Sequence, residues 1–385
     1  MKVGLDGILL TSHRPFSGVH KSILGLAQGL SAFGTEHDFS FFVSRDVDAS
    51  ELENEHFHIR TTRSSNRFRL RRILWDQGVL PIRLRMDKVD VFHAPAYVMP
   101  ILTRVPTVLT VHDVFALRYP VLCKMSNVIH LQNLMPRSVR LAKRVIVPSL
   151  ATKDQLIETL RTPPEKIRVI HHAIDPRFRV LDEEAKQEIR EKYHLPEKFL
   201  LYVGNLDPKK NIKQLIRAFF ASYVSKRIEH RLLIVGERSW QYKELVQVAR
   251  DLGVGDAVSF PGYISDDDLP GLYNCADAFI FPSRIEGFGF PPLEAMACGT
   301  PVITSQDPAL VEMTADGALH VKGSDLAALR EAIENVVSDP SLRRELREKG
   351  FERVKHFSLE KTARETIRVY EEVYDETKAA NGNHQ

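Results

Sequence analysis

Residues 278–305 read AFIFPSRIEGFGFPPLEAMACGTPVITS, and the fold turns on how that stretch is parsed. AFIFPS is a short buried strand that stops at a proline. IEGFGF is the loop after it. Pro291 and Pro292 suit the first turn of a helix, where a missing N–H costs nothing. LEAMAC continues that helix, Gly299 suits the left-handed position beyond its end, and PVITS is the next strand. Two continuously apolar strands joined by a helix make a βαβ unit of a parallel sheet. Gly287 and Gly289 permit a tight loop whose backbone N–H groups approach a ligand closely. Glu286 leaves the strand end, and Glu294 is expected in the first helical turn, facing the same mouth. Either carboxylate can accept hydrogen bonds from vicinal hydroxyls. A dinucleotide fingerprint needs a third glycine where Pro292 stands, so that reading fails.

The same pattern extends outward. KVGLDGILL, FSFFVS, VDVFHAP, TVLTVHD, RVIVPS and KIRVIH read as strands, with VHKSILGLAQGLSAF and LATKDQLIETL as helices between them. KFLLYVG, HRLLIVG and AVSFPG continue the strands, alternating with NIKQLIRAFFASYV, YKELVQVARDLG and DDLPGLYNCA. Over 385 residues, two such series predict two doubly wound α/β domains, joined near the turn-rich IDPRFRVLDEEAKQEIREKYHLPEK. Two domains facing each other leave a cleft at the carboxyl ends of their strands.

Composition narrows the class. With 43% hydrophobic and 27% charged residues, the chain reads as soluble and globular, without an apolar run of membrane-spanning length. Its start enters a strand rather than a signal peptide. Cys123, Cys275 and Cys298 lie far apart without metal-type spacing, which fits a reducing, cytoplasmic setting. The net charge of +3 is uneven: residues 1–175 hold 24 basic and 16 acidic side chains. The excess is densest in NRFRLRRILWDQGVLPIRLRM, 66–86. That stretch reads as a face for anionic lipid or nucleic acid, or as a solvated helix whose Leu, Ile and Trp pack inward. Nothing resembles a nucleic-acid module, so no nucleic-acid partner is expected. No Asp-x-Asp stands at a strand end, Asp266–Asp268 reads as a helix cap, and no metal site is predicted.

Two further constellations carry chemistry. GNLDPKKN, 204–211, lies between a strand and a helix, and a helix N-terminus with lysines beside it suits a diphosphate. His112 and Asp113 follow the apolar strand VLTV, which would project them into the cleft; a purely structural histidine is the other reading.

The segment EGFGFPPLEAMACGTPVITS resembles the signature of the retaining glycosyltransferases of family 4, which have the two-domain GT-B fold. The resemblance runs in family order through SGVHKSILGLAQGL, VFHAPAY, LTVHDVFALRYP, VIVPSLATKDQLI, LLYVGNLDPKKNIKQLIRAF and FPGYISDDDLPGLYNCADAFIFPS. Within the family, the chain is similar to bacterial enzymes that transfer mannose or related sugars in surface polysaccharide or glycolipid synthesis. The resemblance implies hexosyl transfer from a nucleoside diphosphate sugar, GDP-mannose favoured, to a hydroxyl of a saccharide or lipid-linked acceptor. No cofactor and no metal are implied, and contact with an anionic membrane is compatible with it.

The family's roles fall on particular residues. Glu286 lies beside the transferred sugar, to which Gly287, Phe288, Gly289 and Phe290 offer backbone donors. Glu294 takes the ribose. Lys210 takes the diphosphate, with Gly204, Asn205 and Lys209 around it. Gly262, Tyr263 and Ile264 border the base, and Gly18 lies near the diphosphate. His112 bonds the donor sugar; Asp113 either orients the His112 ring or meets the acceptor, and His20 lies on the acceptor side. Two positions depart from the pattern: Asn205 stands where many members carry Arg, and His20 where a second glycine is common. The last helix, SLEKTARETIRVYEEVY at 358–374, would pack back on the first domain through Leu359, Ala363, Ile367, Tyr370 and Tyr374. The domains would then be 1–178 with about 357–385, and 179–356. A sugar-nucleotide epimerase of this fold and a non-catalytic nucleotide-sugar-binding scaffold are the competing readings.

Overall fold

A computed structural model describes residues 1–10, 17–62, 69–123, 125–237 and 241–382. The chain divides into two compact units, residues 1–173 with 357–385, and residues 174–356. The first holds a seven-stranded sheet in the order β3-β2-β1-β4-β5-β6-β7. Its strands are β1 (Lys2–Asp6), β2 (Asp38–Ser44), β3 (Phe57–Thr62), β4 (Val91–Ala94), β5 (Thr107–Thr110), β6 (Arg144–Val147) and β7 (Ile167–Val169). The second holds six strands in the order β10-β9-β8-β11-β12-β13. These are β8 (Phe199–Val203), β9 (Arg231–Val235), β10 (Val258–Gly262), β11 (Ala278–Phe281), β12 (Val302–Ser305) and β13 (Ala318–Val321). All the pairings are parallel. Helices therefore cover both faces, and the strands at the centre of the second sheet, β8 and β11, are buried at every position.

Two strands escaped the sequence reading, β3 (FHIRTT) and β13 (ALHV). Both are edge strands. An edge strand has one neighbour and tolerates polar residues, so neither carries the apolar run of a central strand.

The helix Leu359–Gly382 belongs to the first unit, as the resemblance implied. It packs on the helix Gly18–Phe33 at a close crossing. A Cβ on Gly29 would lie 2.7 Å from the Leu359 carbonyl oxygen and 3.1 Å from the Ala363 Cβ, so only glycine fits there. Ala363, Val369, Tyr370 and Val373 enter the core of this unit, with Ile367 and Tyr374 packed at its margin. Polar contacts fix the helix in place: Tyr370 Oη meets His93 Nδ1 at 2.7 Å, Thr362 donates to the His171 carbonyl, and Glu372 pairs with Arg144 and Arg168.

The basic stretch divides its faces. Residues 63–68 lie outside the described residues. From there the chain forms the helix Arg69–Leu74, a π-turn over Trp75–Val79 and the helix Leu80–Met86. Leu80 and Leu84 are fully buried, whereas Leu74, Val79, Ile82 and Met86 are 46–68% exposed. The inward packing expected of a solvated helix therefore accounts for only part of the apolar content. No helix among the described residues is long and apolar enough to cross a membrane.

Candidate active site

In a doubly wound sheet, a crevice opens at the carboxyl ends of the strands where the strand order reverses. In the second unit that point lies between β8 and β11. β8 leads into Gly204–Lys210, and β11 leads into Ser283–Glu286, so the two constellations meet there. Gly236, just after β9, lies against the other side of the β8 loop, where a Cβ would stand 2.0 Å from the Gly204 oxygen. The Arg284 amide donates to the Lys209 carbonyl at 2.8 Å and latches one loop to the other.

Lys210 Nζ donates to Glu286 Oε1 at 2.5 Å. Their side chains are only 12% and 10% exposed. The same carboxylate oxygen accepts from Ser283 Oγ, and the ammonium stands 4.7 Å from the centre of the Phe281 ring. Burial pushes the Glu286 carboxyl up, but Lys210, Lys209 and the Ser283 hydroxyl outweigh it and hold it below the usual carboxylate range. Burial lowers Lys210, against the field of Glu286. The two groups neutralise each other in a largely buried setting. Asn205 is exposed, and its carbonyl accepts from Tyr202 Oη at 3.0 Å. Beyond the Pro208–Lys210 turn, Asn211 takes a left-handed conformation at the start of the helix Ile212–Val224. Its amide side chain donates to the Gly323 carbonyl, so no side chain caps that helix.

The loop after Glu286 forms as its glycines require. Gly289 has φ +107°, and a Cβ there would strike Leu310 at 2.6 Å. Phe288 and Phe290 are buried edge to face against each other. Pro291 and Pro292 lie in the first turn of the helix Phe290–Ala297, and Gly299 is left-handed after its end. Glu294 departs from expectation. It is the fifth helical residue rather than part of the first turn, is 1% exposed, and accepts from Tyr273 Oη at 3.1 Å. Its partner Tyr273 lies on the helix Leu269–Cys275, 21 residues earlier, and local sequence does not report that contact.

Gly262 ends β10 at φ +89° and Ile264 is buried, whereas Tyr263 is exposed and donates to Asp266. The Asp266–Asp268 run does not cap its helix. Asp268, at the cap position, instead takes Lys192 and the Tyr193 hydroxyl. Asp307 was not singled out by sequence. It caps the helix Pro308–Thr314, and burial pushes its carboxyl up to about 6, with Glu286 adding to the shift. A lone Asp before Pro signals only a cap.

In the first unit, His112 follows β5 but does not project freely. Its Nε2 lies 2.7 Å from the Pro95 carbonyl oxygen and its Nδ1 3.2 Å from His172 Nε2. A carbonyl only accepts, so His112 Nε2 carries the proton and Nδ1 accepts from His172. Burial lowers the pKa of both rings. Asp113 accepts from the Tyr97 hydroxyl at 2.8 Å and from the Phe115 amide. Tyr97 holds a strained left-handed backbone at φ +62° beside His112, a feature invisible in sequence. Gly18 opens the helix Gly18–Phe33. His20 meets the cap residue, its Nδ1 2.8 Å from Ser17 Oγ.

Both halves of the chain match family models: "Glycosyltransferase Family 4" over residues 16–178 and "Glycosyl transferases group 1" over 185–353. The chain is a glycosyltransferase with a family 4 domain followed by a group 1 domain. This glycosyltransferase is 29% identical, over 74% of its length and 75% of the relative's, to O-antigen chain mannosyltransferase B of Escherichia coli. It is 33% identical to O-antigen chain mannosyltransferase RfbU of Salmonella typhimurium, over 60% and 61% of the two chains. It matches serotype-specific mannosyltransferase WbdA of Escherichia coli at 30% identity, over 58% of this chain but only 28% of that protein. Among solved structures, it superposes on sucrose-phosphate synthase from Thermosynechococcus elongatus with TM-score 0.77 at 22% identity, covering 97% and 99% of the chains. For Anabaena HepE in complex with UDP and glucose the values are 0.74 and 19%, over 97% and 100%. These likenesses establish the GT-B fold of the glycosyltransferase.

Within each unit of this glycosyltransferase, then, part of the expected site is assembled. Glu286, Lys210, Gly204 and the Gly287–Phe290 loop gather at one strand switch. His112 and Asp113 share a second hydrogen-bonded group with Tyr97 and His172.

Proposed function

We propose that this enzyme transfers a hexose, mannose favoured, from a nucleoside diphosphate sugar such as GDP-mannose, with retention of configuration, to a hydroxyl of a saccharide or lipid-linked acceptor. One observation carries the reading: a buried Lys210–Glu286 pair at the strand switch of the second unit. An arriving diphosphate competes with Glu286 for Lys210. The ammonium, with Lys209 beside it, then stabilises charge growing on the leaving diphosphate. Glu286, released from Lys210 and still held by Ser283, accepts hydrogen bonds from the sugar's hydroxyls. Glu294, oriented by Tyr273, takes the ribose.

Glu286 positions rather than attacks, so departure and attack occur on one face of the sugar and the leaving phosphate takes the acceptor proton. His112, with Nε2 held by Pro95, bonds the donor sugar through Nδ1 once that nitrogen gives up its bond to His172. With two lysines supplying the positive charge, turnover needs no divalent metal. The O-antigen mannosyltransferase relatives support the choice of mannose and of a surface-glycan acceptor.

A panel of nucleoside diphosphate sugars, assayed with and without EDTA and with the product anomer read by NMR, tests the proposal. At equal concentrations GDP-mannose should give the largest thermal stabilisation, reaching about 2.7 kcal/mol when it stands at 100 times its dissociation constant. An inverted product or an absolute metal requirement overturns the mechanism, and stabilisation by a different donor overturns the choice of sugar.

A further inference from the structure

In the first unit, the last turns of the helices Met125–Leu141 and Leu150–Leu160 border an open pocket of about 700 Å³. Each of these helices ends just before a strand begins, β6 at Arg144 and β7 at Ile167. The pocket therefore lies at the amino-terminal edge of the sheet, whereas His112 and Pro95 follow strand ends at the carboxyl edge.

Four cations line the pocket: Arg137, Arg140, Arg161 and Lys166. No acidic side chain lines it, and among the described residues no carboxylate pairs with the three arginines. Lys166 Nζ donates to the Arg140 carbonyl at 2.8 Å, and burial followed by the fields of Arg144 and Lys143 pulls its pKa down. Val139 and Leu160 add an apolar wall. Thr162 also lines the pocket. It is 4% exposed, and its hydroxyl has no hydrogen-bond partner among the described residues.

Helix dipoles do not account for this arrangement. Two helix C-termini carry about half a negative charge each, roughly one charge against four cations. They also leave the buried hydroxyl unexplained, although such a group ordinarily finds a partner. A phosphate group answers both features. It carries about −1.5 to −2 charge as a monoester, its oxygens fit the guanidinium fork in pairs, and it accepts from a hydroxyl.

We propose that this pocket is a binding site for a phosphate group, free or borne on an apolar body, on the edge of the sheet opposite His112. The site is independent of the donor chemistry proposed above.

Calorimetry on the full chain tests it with two probes, inorganic phosphate and dihexanoyl phosphatidate, against dihexanoyl phosphatidylcholine as a neutral control. Saturable binding of either phosphate probe, weakened about tenfold for each arginine removed in Arg137→Gln and Arg140→Gln, is expected. Thr162→Val, which keeps the side chain's shape, should also weaken it. Tighter binding of phosphatidate than of phosphate identifies a lipid headgroup, and equal binding a free phosphate. Failure of both probes to bind overturns the site. So does phosphatidate binding no tighter than phosphatidylcholine with phosphate inert, or affinity unchanged in the double arginine variant and in Thr162→Val.

Discussion

Lys210 and Glu286 each leave the other stranded when one is removed, because both are largely buried. Losing one partner of a buried pair costs about 3–5 kcal/mol, much of it the desolvation of the survivor. Lys210→Met should therefore lower stability by that amount in denaturant unfolding, and adding Glu286→Gln should restore most of it. A single variant as stable as wild type would mean the pair stands in water. Turnover should fall by about 10²–10³ in Glu286→Gln, the scale of one lost electrostatic contact. The histidines of the first unit give a pH signature. Burial, with His112 adding, lowers His93 from 6.5 to about 3. The unfolded chain thus binds a proton that the folded chain refuses. Stability is full above the unfolded value and is lost progressively as pH falls toward the folded one. The loss should approach about 1.4 kcal/mol per pH unit for this group, and His93→Gln should flatten the slope between about pH 6 and 4. An unaltered slope would place the titration elsewhere. The placement of Glu286, Lys210 and His112 beyond strand ends was legible, because each sits in a local string with a strand before it. Their partners were not. Glu286 and Lys210 are 76 residues apart, and their meeting depends on β8 lying beside β11.

At the scale of elements, central strands and amphipathic helices were readable because apolar periodicity reports burial directly. β3 and β13 were not, since edge strands need less of it. Gly29 shows a third case: a glycine inside a helix signals no obvious need until the crossing helix is seen. Gly29→Ala would push a methyl against the Leu359 carbonyl and Ala363, and should cost about 1–3 kcal/mol of stability. If its unfolding midpoint matches wild type, the two helices do not cross so closely. Removing residues after His356 takes Tyr370 from His93 and opens the core around Val369 and Val373. That truncated chain should be poorly soluble and bind apolar dyes, whereas a well-behaved product would make the last helix dispensable.

For the molecule as a whole, the segment through Met86 exposes Leu74, Val79, Ile82 and Met86 beside Arg83 and Arg85, and we propose that any contact with an anionic membrane uses this face. Binding to anionic vesicles should weaken steeply with salt, since each surface cation contributes about 1 kcal/mol. Equal binding to neutral vesicles, or salt independence, would remove the electrostatic part. The return of the last helix to the first unit also has a consequence for biosynthesis. Residues 174–356 are contiguous, so that unit can fold as soon as it leaves the ribosome. The unit that starts first must wait for residues 357–382. At about 5–20 residues per second, some 10–40 s pass while the intervening unit is made. Through that interval the groove beside Gly29 stays open and His93 lacks its tyrosine, so the nascent chain carries an exposed apolar seam that chaperones have time to find.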